Sequence, residues 1–511
     1  MAAAALLFAS CSGDVAITAI IPDEGAALAD EVVRLEVSAR QASVAIEEVS
    51  PVTGEGLEGV SIRDMPEGRW VFSVTGHDDS GRAVLQGETV PVEVARGRTT
   101  TARLVLAPVE AVVTAPVQGP EAEAIQVSAE LSATTVVGVD GVPAVLVAGG
   151  WTDGGRLAEA WLYRPDRVAF ERVGSMRCPR AGHSAVAVSR SGRPGVLVAG
   201  GGDARCTAEA YADRTAGALI EYFDLEARDF VALEVNFVTA DGERSPAPDL
   251  SDAVLVAYSD RAVFIGADGS GWRLDPLSPP LATLLGGGHP TTTASQIGVP
   301  ITVETEASVD EAVALVGGDE GSSLVVVDAE KACFAVDWLA DLGGLHSATA
   351  IGSAGIFAAR GDRWWMLRAT NCGGPERAVS GALDEWRSGH TATRIGDGRL
   401  LLVGGLGLSA EGSTTLVVPP PSGQATASPV LFEGPSARHA GTGHAAAALP
   451  DGTALIVGGG APAELFNPDR SPGTRPQPAG GALDADHAPA SDEGLRMVFV
   501  VDGSPEAEEL R

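Results

Sequence analysis

The sequence predicts an all-β chain, and three observations predict it. Glycine supplies 64 of 511 residues, close to twice the usual ~7%, which marks many tight turns. Short apolar runs alternate with turn residues throughout, and no long stretch repeats apolar residues at helical spacing. An apolar strand ending in a glycine pair also returns about every 50 residues, the period of a four-stranded β-propeller blade. The length allows two or three domains or one large repeat array. Hydrophobic residues at 45% and charged residues at 20% exclude disorder over the whole chain. Against 35 Lys+Arg stand 68 Asp+Glu, a net charge of −33. That field repels phosphate backbones and anionic headgroups, so nucleic acid and electrostatic membrane binding are poor partner classes.

The chain opens with a short apolar run, Ala2 to Phe8, followed by Ala9, Ser10 and Cys11. Seven residues is the lower limit for a signal-peptide apolar region of about 7–15, and no Lys or Arg precedes it. Small residues before a single cysteine resemble the lipobox of bacterial lipoproteins. The resemblance implies a signal over residues 1–11, lipidation of Cys11, and sorting to the outer membrane or surface of a Gram-negative cell, since Ser12 rather than Asp follows. No later stretch reaches the ~18 apolar residues of a spanning helix, so membrane contact is expected through the anchor only.

Four other cysteines remain, Cys178, Cys206, Cys333 and Cys372, and four permit three connectivities. Their order suggests Cys178 with Cys206 and Cys333 with Cys372, each closing a loop that adds about 3–4 kcal/mol in the chain-entropy model. An oxidising compartment suits disulfides; four independent buried thiols are the alternative. No Cys/His spacing matches a structural zinc site.

Residues 12–108 read as one unit. Trp70, Phe72 and Val74 alternate with Val71, Ser73 and Thr75, and Val90, Val92 and Val94 resume the alternation after the turn His77-Asp78-Asp79-Ser80-Gly81. Short strands separated by turns predict a small β-sandwich. The segment Met65-Pro66-Glu67-Gly68 followed by Trp70 to Thr75 is similar to the Ig-like and transthyretin-like modules of secreted bacterial proteins, which implies a spacer. Asp78 and Asp79 are expected to solvate the turn rather than bind calcium. Residues 109–123, rich in Ala, Val, Pro and Glu, read as a linker.

Residues 124–511 carry the repeat. VLVAGG at Val145–Gly150 returns unchanged at Val196–Gly201, and related copies end at Gly318, Gly405 and Gly459. Weaker copies end at Ala267, Gly361 and Gly503, and Arg360 and Asp502 replace the first glycine in two of these. A histidine opens several units, in Gly182-His183, Gly389-His390 and Gly443-His444, and a third strand follows the diglycine: AEAWLYRP from Ala158, IEYFDL from Ile220 and AELFNP from Ala463. Fourth strands carry Phe170, Phe230, Phe334 and Phe432. These linked features resemble the kelch β-propellers, the fold of the galactose-oxidase central domain. Counting hairpins predicts eight blades, with seven as the alternative. Ala124 to Val127 is expected to complete the last blade and close the ring.

Six histidines, His183, His289, His346, His390, His444 and His487, fall near the starts of first strands. The kelch resemblance implies a polar residue there that ties neighbouring blades by hydrogen bonds, and no carboxylate accompanies the histidines at fixed spacing, so such ties are the better expectation than a metal ring. The pairs Arg180/His183 and Arg387/His390 are read the same way, with an anion grip as the alternative. A copper-radical site of the galactose-oxidase kind needs two tyrosines, one crosslinked to cysteine, and two histidines. Of Tyr163, Tyr211, Tyr222 and Tyr258, at least Tyr163 and Tyr222 fall on structural third strands. The one Asp-box-like run, Ala267 to Trp272, is a single occurrence, and neither a nucleophile elbow nor a P-loop is present.

The longest insertion, residues 236–252, carries Asp241, Glu243, Asp249 and Asp252, and long insertions on a rigid scaffold commonly bind. They form the candidate binding loop. The resulting expectation is a non-catalytic envelope lipoprotein with no cofactor, recognising a protein or glycan through propeller loops. A carbohydrate-active lyase or hydrolase, or a purely structural envelope component, is the competing reading.

Overall fold

In the computed structural model the described residues are nearly all β, with two short helices, Asp23–Ala29 and Pro120–Gln126. Description covers most of residues 12–470 and the strand Arg496–Asp502. The longer stretches outside it are 1–11, 42–52, 203–219, 287–296, 340–346, 471–495 and 503–511.

Residues 12–108 form two sheets around one apolar cluster. Ser12–Ile20 lies between Gly59–Pro66 and Thr99–Val105, antiparallel to the first and parallel to the second. Gly68–His77 lies between Arg34–Arg40 and Ala83–Glu88. The alternation anticipated at Trp70, Phe72 and Val74 is the inward face: all three are buried, against Val15, Ile17, Val37 and Ile62. Trp70 donates its indole N–H to the Pro66 carbonyl at 2.9 Å, which satisfies its one polar atom. Asp78 accepts from the Ser80 backbone and hydroxyl and from the Arg82 backbone, so it closes its turn as expected.

Seven sheets of three to five strands follow along the chain among the described residues. Sheet 1 is typical: Ser132–Val137, Pro143–Ala148, Ala160–Arg164 and Ala169–Arg172 pair antiparallel in chain order. In sheet 1 the second strand is an apolar run buried on both faces, as Val145, Leu146 and Val147 show, and Val196–Ala199, Leu400–Val403 and Leu455–Val457 are buried in the same way. The first strands of sheets 2 to 7 are Ser184–Arg190, Val254–Tyr258, Ile297–Glu304, Ser347–Ala350, Thr391–Arg394 and His444–Ala448. They lie side by side in chain order, and the last also neighbours Ser132–Val137 of sheet 1, so the order returns on itself.

Three expectations are corrected here. The copy ending at Gly503 supplies no eighth unit: Arg496–Asp502 pairs antiparallel with Arg34–Arg40 of the first domain. Residues 109–123 are no linker, because Ala111–Thr114 is the fourth strand of sheet 7, antiparallel to Glu464–Asn467. Ala124 to Val127 is no strand; it closes the helix Pro120–Gln126, whose Ile125 is buried. A strand from the amino-terminal side does complete the last sheet, but an earlier strand on an earlier sheet. The physical reason is Val113, fully buried among Leu455, Val457 and Leu465.

That arrangement leaves no free segment between the first domain and sheet 7. The Asn467 amide donates to the carbonyls of Gln86, Ala107 and Pro108, each at 3.0 Å. Arg399 pairs with Glu110 at 2.6 Å and with Asp397, and the Arg470 backbone donates to Gln86.

Candidate functional site

Each second strand runs antiparallel to its first strand, with Ser184 opposite Ala199 and His444 opposite Gly458. The diglycines and the histidines therefore meet at one end of the sheets. Nε2 of His183 lies 2.8 Å from the Ser132 hydroxyl of sheet 1. His390 meets Ser347 of sheet 5 at 2.7 Å, and His444 meets Thr391 of sheet 6 at 3.1 Å. Each histidine thus ties its sheet to the preceding one, as the sequence predicted. At the junction of sheets 7 and 1 the place is taken by Leu131, which packs on Gly458.

The diglycine is required by this contact. Gly149 and Gly404 have φ of 64° and 63°, a region costly for residues with a Cβ. A Cβ on Gly149 would lie 2.6 Å from the Arg180 carbonyl and 2.8 Å from the His183 ring; on Gly404 it would lie 2.7 Å from the His444 ring. The second glycine then donates across the junction, Gly150 to the Arg180 carbonyl at 2.7 Å and Gly459 to Ser128 at 2.7 Å.

Burial pushes His183 down to about 3, helped by the Arg180 charge, and pushes His444 down to about 4, helped by His439. Both are neutral in the folded protein and titrate near 6.5 when unfolded. The unfolded chain then binds more protons below that value, so stability is full above about pH 6.5 and falls as pH drops toward the folded values. Imidazole resonances of His183 and His444 are expected to stay neutral at about pH 5 while the unfolding midpoint declines. Protonation of either ring in the folded protein near its ordinary value would overturn this.

Behind the histidines lies a buried basic position. In sheet 2 Arg180 is 2% exposed and pairs at 3.1 Å with Glu221, which is fully buried; it also donates to the Gly200 carbonyl. Glu221 sits opposite Val198 in the third strand. The same register holds Glu464 opposite Ile456 in sheet 7 and Thr415 opposite Leu402 in sheet 6. In sheet 7 the partner is His439, whose Nδ1 lies 2.5 Å from Glu464. Facing sheet 6, Arg387, the last residue of Gly373–Arg387 in sheet 5, donates to the Thr415 hydroxyl at 2.9 Å and to backbone carbonyls, with the Glu385 carboxylate more distant at 3.7 Å. Its Nε has no partner among the described residues, and burial pushes the guanidinium below its ordinary range. Thr415→Glu is therefore expected to raise stability by about 1.5–3 kcal/mol in chemical denaturation, the range for hydrogen bonds to charged groups; a loss would show that the position cannot take a carboxylate.

The predicted binding loop begins at the outer edge of sheet 3. Asn236–Val238 pairs parallel to Leu281–Gly286, the fourth strand. Asp241 and Glu243 lie on an exposed turn closed by Thr239; Asp249 and Asp252 lie outside the described residues. Cys178 is disulfide-bonded. Cys206, Cys372, Cys11, His289, His346 and His487 fall outside the description, and only the backbone of Cys333 is within it.

Sequence reasoning missed the residues that follow the diglycines. Trp151, 47% exposed, stands on a two-residue-pair hairpin with Arg156, whose guanidinium lies 5.6 Å from the indole. Leu406, after Gly404-Gly405, is 60% exposed and bridges Ser388; Trp386 is exposed two residues before Ser388. The signal was present, a large apolar residue directly after a turn, but a turn residue's exposure is set by the neighbouring sheet.

A copper site is not assembled by the described residues. Tyr163 is buried against Phe170, and the Tyr222 hydroxyl donates to the Arg193 carbonyl. Among the described residues no three His, Cys, Asp or Glu side chains are grouped to hold a metal. Neither a protein-family model nor a curated protein matches the chain. Among solved structures, a fungal alcohol oxidase of the AA5 family in complex with copper is similar at 13% identity and a TM-score of 0.35, over 79% of this chain and 68% of that one.

Proposed function

We propose that the seven sheets are the blades of a closed, kelch-like β-propeller, that residues 12–108 form a β-sandwich docked on it, and that the protein is a non-catalytic binding or scaffold component of the cell envelope. The cyclic neighbourhood of the first strands supports the architecture. The observation that carries the function is how the repeated polar groups are used: His183, His390 and His444 bond across sheets, and Glu221 and Glu464 bond within them. Groups so engaged hold the frame, while Trp151 and Leu406 at the same end stay exposed for contact. Exposed aromatics on a rigid frame suit recognition of a protein or glycan.

Anchoring is proposed through lipidated Cys11. The strand Ser12–Ile20 starts at the next residue, so a lipid there would hold the first domain directly against the bilayer. Metabolic labelling with a fatty acid, lost in Cys11→Ser, tests the anchor. Photo-crosslinking in the native envelope tests binding. One dominant captured protein or glycan, lost in Trp151→Ala/Leu406→Asp, is expected. Capture unchanged in that variant but lost on deleting 239–243 would move the binding face to the sheet 3 insertion, and no specific capture would remove the binding role.

A further inference from the structure

The seven first strands differ from the rest of the chain in charge. Although the protein carries 68 acidic residues, only one carboxylate, Glu304, falls on any of these strands, at the end of Ile297–Glu304. The others read SATTVV, SAVAVSR, VLVAY, SATA, TATR and HAAAA. Two arginines are included. Arg190 donates to the Pro276 carbonyl and stacks over Tyr222. Arg394 ends the first strand of sheet 6, and its side chain makes neither a hydrogen bond nor an ion pair among the described residues.

Its setting is defined by the strand's alternation. Ala392 packs against the cluster shared by sheets 5 and 6, and Ile395 belongs to the cluster shared by sheets 6 and 7. Period two puts Arg394 on the Ala392 side, facing Ser347–Ala350, which brings only Ser, Ala and Thr. The strand on the other flank, His444–Ala448, adds no charge beyond neutral His444. The side chain is half-buried, and burial pushes the guanidinium below its ordinary range with no carboxylate to offset it.

We propose that Arg394 is the anion-binding element of a site on the inner wall of the cycle of first strands, taking a small carboxylate or phosphate. This rests on the propeller reading, which makes that wall a channel. A planar guanidinium offers a fork of N–H donors matched to two oxygens of such an anion. The facing strand offers only Ser, Ala and Thr, and the scarcity of carboxylates on these strands removes the competing internal partner. The net charge of −33 opposes anion entry, so the affinity is weak, with Kd on the order of 1 mM.

The test uses the full chain. Inorganic phosphate and citrate are titrated separately by calorimetry against the protein, Arg394→Gln and Arg394→Lys. Saturable binding of at least one anion, weakened about tenfold or more in Arg394→Gln and partly kept in Arg394→Lys, is expected; which anion saturates identifies the source. No saturable binding, or equal binding by Arg394→Gln, overturns the site. Thr135 donates to the Ala448 carbonyl across the junction of sheets 7 and 1, and a cysteine pair at these two positions reports closure separately. Crosslinking without anion binding defeats the site alone, whereas failure to crosslink defeats the propeller reading.

Discussion

Glu221→Ala is expected to lower the free energy of unfolding by about 3–5 kcal/mol, because it strands a buried guanidinium. Arg180 is 2% exposed and its partner is fully buried, so water cannot replace the lost carboxylate. The Arg177 backbone N–H, which donates to the other Glu221 oxygen at 2.7 Å, loses its acceptor as well. Urea denaturation of the full chain measures the loss. The double variant Arg180→Met/Glu221→Ala should recover most of it, since a buried pair replaced by apolar groups is often close to neutral. A single variant within about 0.5 kcal/mol of the parent, the range of ordinary surface substitutions, would show that the pair does not hold the second sheet.

Val113→Asp is expected to lower stability by about 4 kcal/mol or more, since it places a carboxylate without a partner in an apolar cluster. Val113 is fully buried opposite Leu465 in the strand that completes sheet 7. The effect should exceed that of Val112→Asp, because the Val112 side chain is itself only partly buried. Thermal unfolding of the two variants side by side separates them. Equal, small effects would mean that Ala111–Thr114 is not the fourth strand of that sheet.

Much of the frame was legible in residues. The diglycines and the opening histidines recur because each meets a repeated physical demand: a turn with positive φ and, at His183, His390 and His444, a bond to the preceding sheet. The third-strand carboxylates and the departures from them emerged only with the register of the sheets. Thr415 where Glu221 and Glu464 stand leaves Arg387 short of a carboxylate, and His439 stands where Arg180 does in sheet 2. The exposed face at Trp151 and Leu406 was not legible, because exposure depends on what the adjacent sheet covers. Neither was the isolation of Arg394, which follows from which strands flank it and not from its own neighbours in sequence.

By itself the sequence determined the β character, the repeating unit, the inward face of the first domain and the bonding roles of His183, His390 and His444. Each of these follows from local periodicity or from a residue type that one backbone geometry demands. Partner choice among strands was decided only in the tertiary structure. VFVVDG looks like a repeat strand, yet it pairs with Arg34–Arg40 of the first domain, while the unremarked AVVT at Ala111–Thr114 completes sheet 7. An apolar pattern of four to seven residues specifies burial on a pleated surface. It does not specify which sheet edge provides that burial, because every edge presents the same backbone donors and acceptors.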